Sequence, residues 1–388
     1  MLVPDEADFR AEVAGWLAAN LSGEFAPLVG SGGPGREHEF VEERMAWERR
    51  LGDAGWIGVG WPESDGGRGL PWSHQAIFYE EYARAGAPAR VGHMGEQLLG
   101  PTLLMFGTPE QRARFLPGIL AGTQLWCQGY SEPGAGSDLA AVTTRARLDG
   151  GEWHLDGQKV WTSLAHIADW CFVLARTDPA AERHHGLSYL LVPMRQPGVE
   201  VRPIVQLTGT SEFNEVFFDD ARASAGDIVG GPGDGWRVAM GTLAVERGVS
   251  TFGQQLGFQR EFEAVLATAR ATGAIDDPEL SARIVEAWIG LQVMRYTTLA
   301  TLTPQPGREH GTEANVNKLI WGPWHQRLGE LAVDVAGPAA TVTGPGYDLD
   351  NAQRLFLFGR AETIYGGSSE IQRNVIAERG LGLPREPR

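Results

Sequence analysis

The chain has 388 residues and is 43 % hydrophobic, enough for a sizeable core and two or three structural units. Its net charge of −16, from 33 basic and 49 acidic residues, argues against a nucleic-acid binder or a protein of anionic membrane surfaces. Cys127 and Cys171 are the only cysteines, with no Cys-x-x-Cys or His-Glu-x-x-His pattern, so zinc is not expected and two buried free thiols are. The acidic start "MLVPDEADFRAEV" lacks the apolar run of a signal peptide, and no membrane span of ~18 apolar residues occurs. The expectation is a soluble, cytoplasmic protein.

The first segment, residues 1–123, reads as helical. "DEADFRAEVAGWLAANL" places Phe9, Val13, Trp16, Leu17 and Leu21 near one face. "SHQAIFYEEYARAG" and "GEQLLGPTLLMFG" look similar, and Thr108-Pro109 is a good helix start. The character changes over residues 124–232. "VTTRARLDGGEWHLDGQKVWTS" alternates, with Asp149-Gly150 and Asp156-Gly157 as turn signals. "WCFVLART", "LSYLLVPM", "VEVRPIV" and "FNEVFF" follow as short strands, giving a compact β-barrel or sandwich. "VGGPGDGW" marks a boundary, and residues 233–388 are helical again. This order is not a doubly wound α/β pattern, and Rossmann and Walker glycine spacings are absent.

Four stretches could carry chemistry. In "YSEPGAGSD", Tyr130–Asp138, Gly134 and Gly136 let backbone approach a ligand, and Ser131 and Ser137 add hydroxyls; taken alone it reads equally as a polar turn. In "GQKVWTS", Trp161 offers a flat face and Thr162 and Ser163 offer hydroxyls for a planar ring; taken alone Trp161 reads as a core residue. In "AMGTLAVERGVSTFG", Glu246 shares a helical stripe with Ala239, Leu243, Ser250 and Gly253. Partial desolvation would suit it to proton abstraction, whereas the plainer reading pairs it with an arginine such as Arg247. In "ETIYGGSSEIQRNVIAERG", a helix starts after Gly366-Gly367, Ser369 and Gln372 have capping-box spacing, and Arg379-Gly380 is a normal stop. Free amides at that turn suit polar ligand atoms, though a docked terminal helix would look the same. His184-His185 reads as solvated, and Arg176, Arg183 and Arg202 have no assignable role.

The order of these stretches is more specific than any one of them. Tyr130-Ser-Glu-Pro-Gly-Ala-Gly-Ser-Asp138, Gly157-Gln-Lys-Val-Trp-Thr-Ser163 and Tyr365-Gly-Gly-Ser-Ser-Glu-Ile-Gln-Arg373 together resemble the acyl-CoA dehydrogenase family over essentially the whole chain, including "GTPEQRARFLPGILAGT" and "FNEVFFDDARA". The resemblance implies an α+β multidomain fold: an N-terminal helical domain, a middle β-domain and a C-terminal four-helix bundle. It implies FAD, bound along Gln128 to Ser137 with Ser131 near the ring and Gly136 in the loop, by Trp161, Thr162 and Ser163 at the isoalloxazine, and by Ser368 and Glu370. It implies substrate contacts from Ser137, Arg247 and Gly366.

Many family members carry the catalytic glutamate right after the tyrosine of the last motif, where this chain has Gly366. A second group, resembling isovaleryl-CoA and long-chain acyl-CoA dehydrogenases, carries it in a Glu-Arg pair on a core helix, and Glu246-Arg247 matches that placement. The implied reaction removes the α-proton to Glu246 and the β-hydrogen as hydride to flavin N5, with the Gly366 amide on the thioester carbonyl. Electrons then pass to an electron-transfer flavoprotein. The family's Arg-x-x-Phe-Gly signature, which reaches a neighbouring subunit's FAD, is replaced by "ARATGAIDDPELSAR" at 269–283. That weighs a heterotetramer with a second dehydrogenase subunit, as among steroid side-chain dehydrogenases, against a homotetramer. The alternatives are a flavin oxidase or monooxygenase of the same fold, or a non-catalytic partner subunit. The sequence is compatible with branched, cyclic, dicarboxyl, steroid-side-chain or long straight acyl groups.

Overall fold

The computed structural model describes residues 4–245, 251–302 and 313–385. The described residues divide into two compact units: those within 1–75, 86–206 and 210–246 form the first, and those within 76–85, 207–209 and 247–388 the second.

The first unit begins with α1 (Glu6–Asn20), whose start is fixed by the Asp5 side chain accepting from the Ala7 amide. Phe9, Val13 and Leu17 are buried, as the helical spacing predicts, and Trp16 lies between Trp47 and Trp56. After α2 (Val41–Asp53) and α3 (Trp72–Arg84), which the division crosses, come α4 (Gly100–Phe106) and α5 (Pro109–Leu120). Thr108 and Gln111 form a full capping box at the start of α5, with Pro109 at its first position.

Eight strands follow: β1 (Trp126–Gly129), β2 (Arg145–Asp149), β3 (Glu152–Ser163), β4 (Trp170–Arg176), β5 (Leu187–Pro193), β6 (Val199–Pro203), β7 (Phe213–Ser224) and β8 (Ile228–Val229). They join in one sheet of order β6-β7-β3-β2-β4-β5-β8, with β1 added parallel to β4. The β2–β3 turn is made by Gly150 and Gly151, both at positive φ, where the Asp-Gly signal lies. The central strands β4 and β5 are buried on both faces. Phe172, Leu174, Tyr189 and Leu191 face Leu103, Phe115 and α6 (Gly235–Val245). Cys171, Val173, Leu190 and Val192 face a second core that β2, β3 and β7 of the same sheet enclose. Cys127 and Cys171 stand in register on β1 and β4 as buried free thiols.

The second unit contains α7 (Thr251–Thr272), α8 (Pro278–Leu302), α9 (Glu313–Ala336), α10 (Asn351–Gly359) and the short α11 (Ser369–Val375). Phe258, Phe262, Leu291, Trp324, Leu328 and Leu331 make its core. The stretch that replaces the arginine-glycine signature is the α7–α8 turn: Gly273 is left-handed, and the Asp277 carboxylate accepts from the Glu279 and Leu280 amides. α8 carries Val285, Trp288, Ile289, Val293 and Tyr296 exposed along one face. No described helix is long and apolar enough to cross a membrane.

Candidate functional site

In the first unit, the stretches 130–138 and 157–163 lie against each other because a buried ion pair joins them. Glu132 is buried, and its carboxylate accepts from the Thr143 and Thr144 amides at 2.7 and 2.8 Å and from the Thr143 hydroxyl at 2.7 Å. Lys159, fully buried, donates to Glu132 at 2.9 Å, to the Tyr130 carbonyl at 2.9 Å and to the Leu174 carbonyl at 2.7 Å. All three ammonium hydrogens thus have acceptors. Burial alone would raise the Glu132 carboxyl, but Lys159 and the threonine donors outweigh it and bring its pKa to about 2. A further bond, from the Val160 amide to the Ser131 carbonyl at 2.9 Å, zips the loop to the strand.

β3 then breaks its own alternation. Trp153, Leu155 and Lys159 face inward in period two, which would bury Trp161 next. A register shift against β7 between Lys159 and Thr162, with Trp161 at φ 61°, reverses this. Trp161 is 58 % exposed, edge-on to Phe213, so it is not a core tryptophan, and Thr162 is buried in its place. Asn214 on β7 donates to the Thr162 carbonyl at 3.1 Å and holds the strand end.

Buried polar atoms at this end of the sheet without a partner among the described residues include Gln128 Nε2, Thr162 Oγ1 and Asn214 Oδ1. Orphans of this kind cost stability unless something outside the protein satisfies them. Gly134 and Gly136 have ordinary φ angles, and a Cβ on either would meet nothing within 4 Å. Neither the backbone nor the protein's own packing requires glycine there, so the space they leave is open to a ligand. Ser131 is half-buried and Ser137 exposed in the same loop, and Ser163 ends β3. A flat exposed indole, unpartnered amide and hydroxyl groups and an open glycine loop fit a flavin. At the end of this loop Asp138 accepts twice from Arg183, at 2.6 and 2.9 Å. Arg176 donates to the Ala140, Val142 and Arg183 carbonyls. Both arginines therefore brace the loop, while Arg202 pairs with Glu200 over the Phe217 ring. His184, expected in solvent, packs on Trp236 at 4.3 Å between ring centres.

Glu246 and Arg247 lie outside the described residues.

In the second unit, the Gly-Gly turn is held by Gln372. Gly366 and Gly367 have φ of 63° and 87°. The fully buried Gln372 donates to their carbonyls at 2.8 and 3.2 Å and accepts from Asn315 at 2.6 Å. The helix cap is Ser368, accepting from the Ile371 amide, and not Ser369 as the spacing suggested; Gln372 is drawn away from the cap by the turn it closes. Glu370 is exposed, 3.8 Å from Arg373. The chain continues past α11 in a π-helical turn, Ile376–Gly380. The Gly366 and Gly367 amides meet no acceptor among the described residues.

Motif spacing gives no role to Glu132, Lys159 or Asn214, and gives Gln372 a capping role in place of the one it has. Lys159 was detectable, because period-two alternation puts it on the same inward face as Trp153 and Leu155, where a charge needs a partner. Asn214 and Gln372 carry no such signal, since their roles depend on which backbone carbonyls the fold brings near.

Family models match the chain in three consecutive parts: the acyl-CoA dehydrogenase N-terminal domain at residues 4–123, the middle domain at 127–221 and the C-terminal domain at 233–381. The chain is 63 % identical over 382 residues to the acyl-CoA dehydrogenase IpdE1 of Mycobacterium tuberculosis, covering 98 % of this chain and 99 % of that one. Among solved structures it resembles the Tcur3481-Tcur3483 steroid ACAD, with TM-score 0.84 and 31 % identity over 98 % of both chains. It also resembles the ChsE4-ChsE5 complex from Mycobacterium tuberculosis, with TM-score 0.80 and 27 % identity over 100 % of this chain and 99 % of that one. The chain therefore belongs to the acyl-CoA dehydrogenase family, FAD-dependent oxidoreductases that act on the CH–CH bond of acyl-CoA thioesters.

Proposed function

We propose that this chain dehydrogenates a steroid-derived acyl-CoA thioester between Cα and Cβ to the trans-2-enoyl thioester, with Glu246 as the base. The observation that carries the flavin half of the reading is the set of orphaned buried groups, Gln128 Nε2 and Thr162 Oγ1, beside the open glycine loop. When bound, FAD supplies the two-electron acceptor for the β-hydrogen. Trp161, Thr162 and Ser163 would hold its ring, Gln128, Ser131, Gly136 and Ser137 would line the loop beside it, and the last motif would contribute Ser368 and Glu370.

Gly366 has no side chain with which to take a proton, so that duty falls to Glu246, whose neighbour Arg247 contacts the thioester ligand together with Ser137. The Gly366 amide, without an acceptor among the described residues, suits a donor to the thioester oxygen as negative charge develops on it. The steroid assignment and a two-subunit assembly rest on the solved relatives, one a steroid ACAD and both named as pairs of chains. An electron-transfer flavoprotein takes the electrons onward. The test is incubation of the flavin-loaded protein with steroid-derived, branched and straight-chain acyl-CoAs and a dye acceptor, with products weighed by mass spectrometry. The expected product is the steroid-derived thioester two hydrogens lighter; turnover of straight chains alone would remove the steroid assignment.

A further inference from the structure

The second unit holds a buried ionic cluster that the reaction above does not use. His325 on α9 is buried, with its Nδ1 2.6 Å from the Glu362 carboxylate and its Nε2 2.6 Å from that of Glu261 on α7. Its ring lies on Phe258, 4.3 Å between centres. Burial on its own would lower the imidazole pKa, but the two carboxylates outweigh it and raise it to about 10. Glu362 is buried as well, so an imidazolium is its counter-charge. About two and three turns earlier on α9 the same segment is gripped again. Lys318 donates to the Glu362 carbonyl at 2.7 Å and lies over the Tyr365 ring, and Asn315 holds Gln372.

Four ionisable groups gathered around one backbone position are a poor way to gain stability, because their desolvation opposes their attraction. What they do fix is geometry. Residues 362–372 contain the two consecutive left-handed glycines, and the contacts that His325, Lys318 and Asn315 make with Glu362, Tyr365 and Gln372 fall on their flanks or on the side chain that binds their carbonyls. The carbonyls of Gly366 and Gly367 are tied down, and their amides are left without acceptors among the described residues.

We propose that His325, Glu362 and Lys318 are positioning residues that hold the Gly366–Gly367 turn with its amides presented to the substrate. This rests on the reading of the Gly366 amide as the donor to the thioester oxygen. The cluster acts through the backbone: His325 fixes the Glu362 side chain, Lys318 fixes the Glu362 carbonyl, and the turn four residues on cannot rotate its amides away.

The test uses the flavin-loaded protein, with any companion subunit present, as parent, His325→Gln and Lys318→Met. Hydrogen exchange over residues 362–372 needs no ligand; it is expected to quicken about tenfold or more in both variants while the rest of the chain is unchanged. With a thioester that the parent turns over, kcat is expected to fall about tenfold with KM moving less than about threefold, the pattern of an interaction made in the transition state. Should His325→Gln not fold, Lys318→Met, which keeps the His325–Glu362 contact, carries the same two readouts. Unchanged exchange over 362–372, or quickened exchange with unchanged kcat, overturns the proposal. A parent that turns over no thioester defeats the dehydrogenase reading instead, and the exchange result still decides the clamp.

Discussion

The smallest decisive features are single polar atoms with and without partners. Thr162 Oγ1 is buried and unsatisfied, so Thr162→Val should leave the flavin-free protein within about 0.5 kcal/mol of the parent, since it removes an orphan and keeps the shape. The same change should weaken FAD binding about tenfold, or ~1.4 kcal/mol, measured by titrating flavin fluorescence. A purely structural threonine would show the opposite order of effects. Lys159→Met strands the Glu132 carboxylate in the core and should cost about 3–5 kcal/mol in denaturant unfolding. The Glu132 pKa is depressed from 4.5 to about 2, so its contribution to stability is present above about pH 4.5 and is lost as pH falls toward 2. Acid titration of the melting temperature should show that loss in the parent and not in Glu132→Gln.

Much of the element scale was legible beforehand. The capping box at Thr108, the Asp-Gly hairpin and the apolar face of α1 follow from local rules, and the structure carries all three. Two things were not legible. The register shift in β3 turns Trp161 outward, a long-range consequence of pairing with β7 that period two cannot foresee. Gln372 has capping-box spacing yet serves the turn, because the carbonyls of two left-handed glycines reach it first. Gly367 combines φ of 87° with a Cβ position 2.5 Å from Gln372 Nε2. Gly367→Ala should therefore cost about 1–3 kcal/mol and slow turnover, read from melting and steady-state rates. α9 makes a pH prediction of its own. His325 has its pKa raised from 6.5 to about 10, so the stability it gives Glu362 and Glu261 is complete below about pH 6.5 and fades as pH rises toward 10. Melts between pH 6 and 10 should fall in the parent and fall less in His325→Gln.

At the scale of the whole molecule, the order helix, sheet, helix was readable from the change in periodicity, and three family domains follow the same order. The partners of Lys159 and His325 were not, because each pair joins elements far apart in sequence. Under the proposed two-subunit assembly, the exposed apolar residues of α8 are a surface that a second chain would cover. Under the two-subunit reading, the chain purified alone should carry less than one FAD per polypeptide, and co-expression with a companion dehydrogenase subunit should restore full occupancy. A homo-oligomer with full FAD would contradict that reading.

In the proposed reaction Glu246 takes the α-proton from an acyl-CoA and the β-hydrogen goes to the flavin as hydride. Anaerobic mixing with a panel of acyl-CoAs, comparing the parent with Glu246→Gln at equal flavin content, tests it most directly. One thioester class should bleach the parent's flavin, and bleaching should slow at least about a thousandfold in the variant, the scale expected for loss of a general base together with its positioning. Bleaching at a parental rate in Glu246→Gln would move the base to another residue and rule out Glu246.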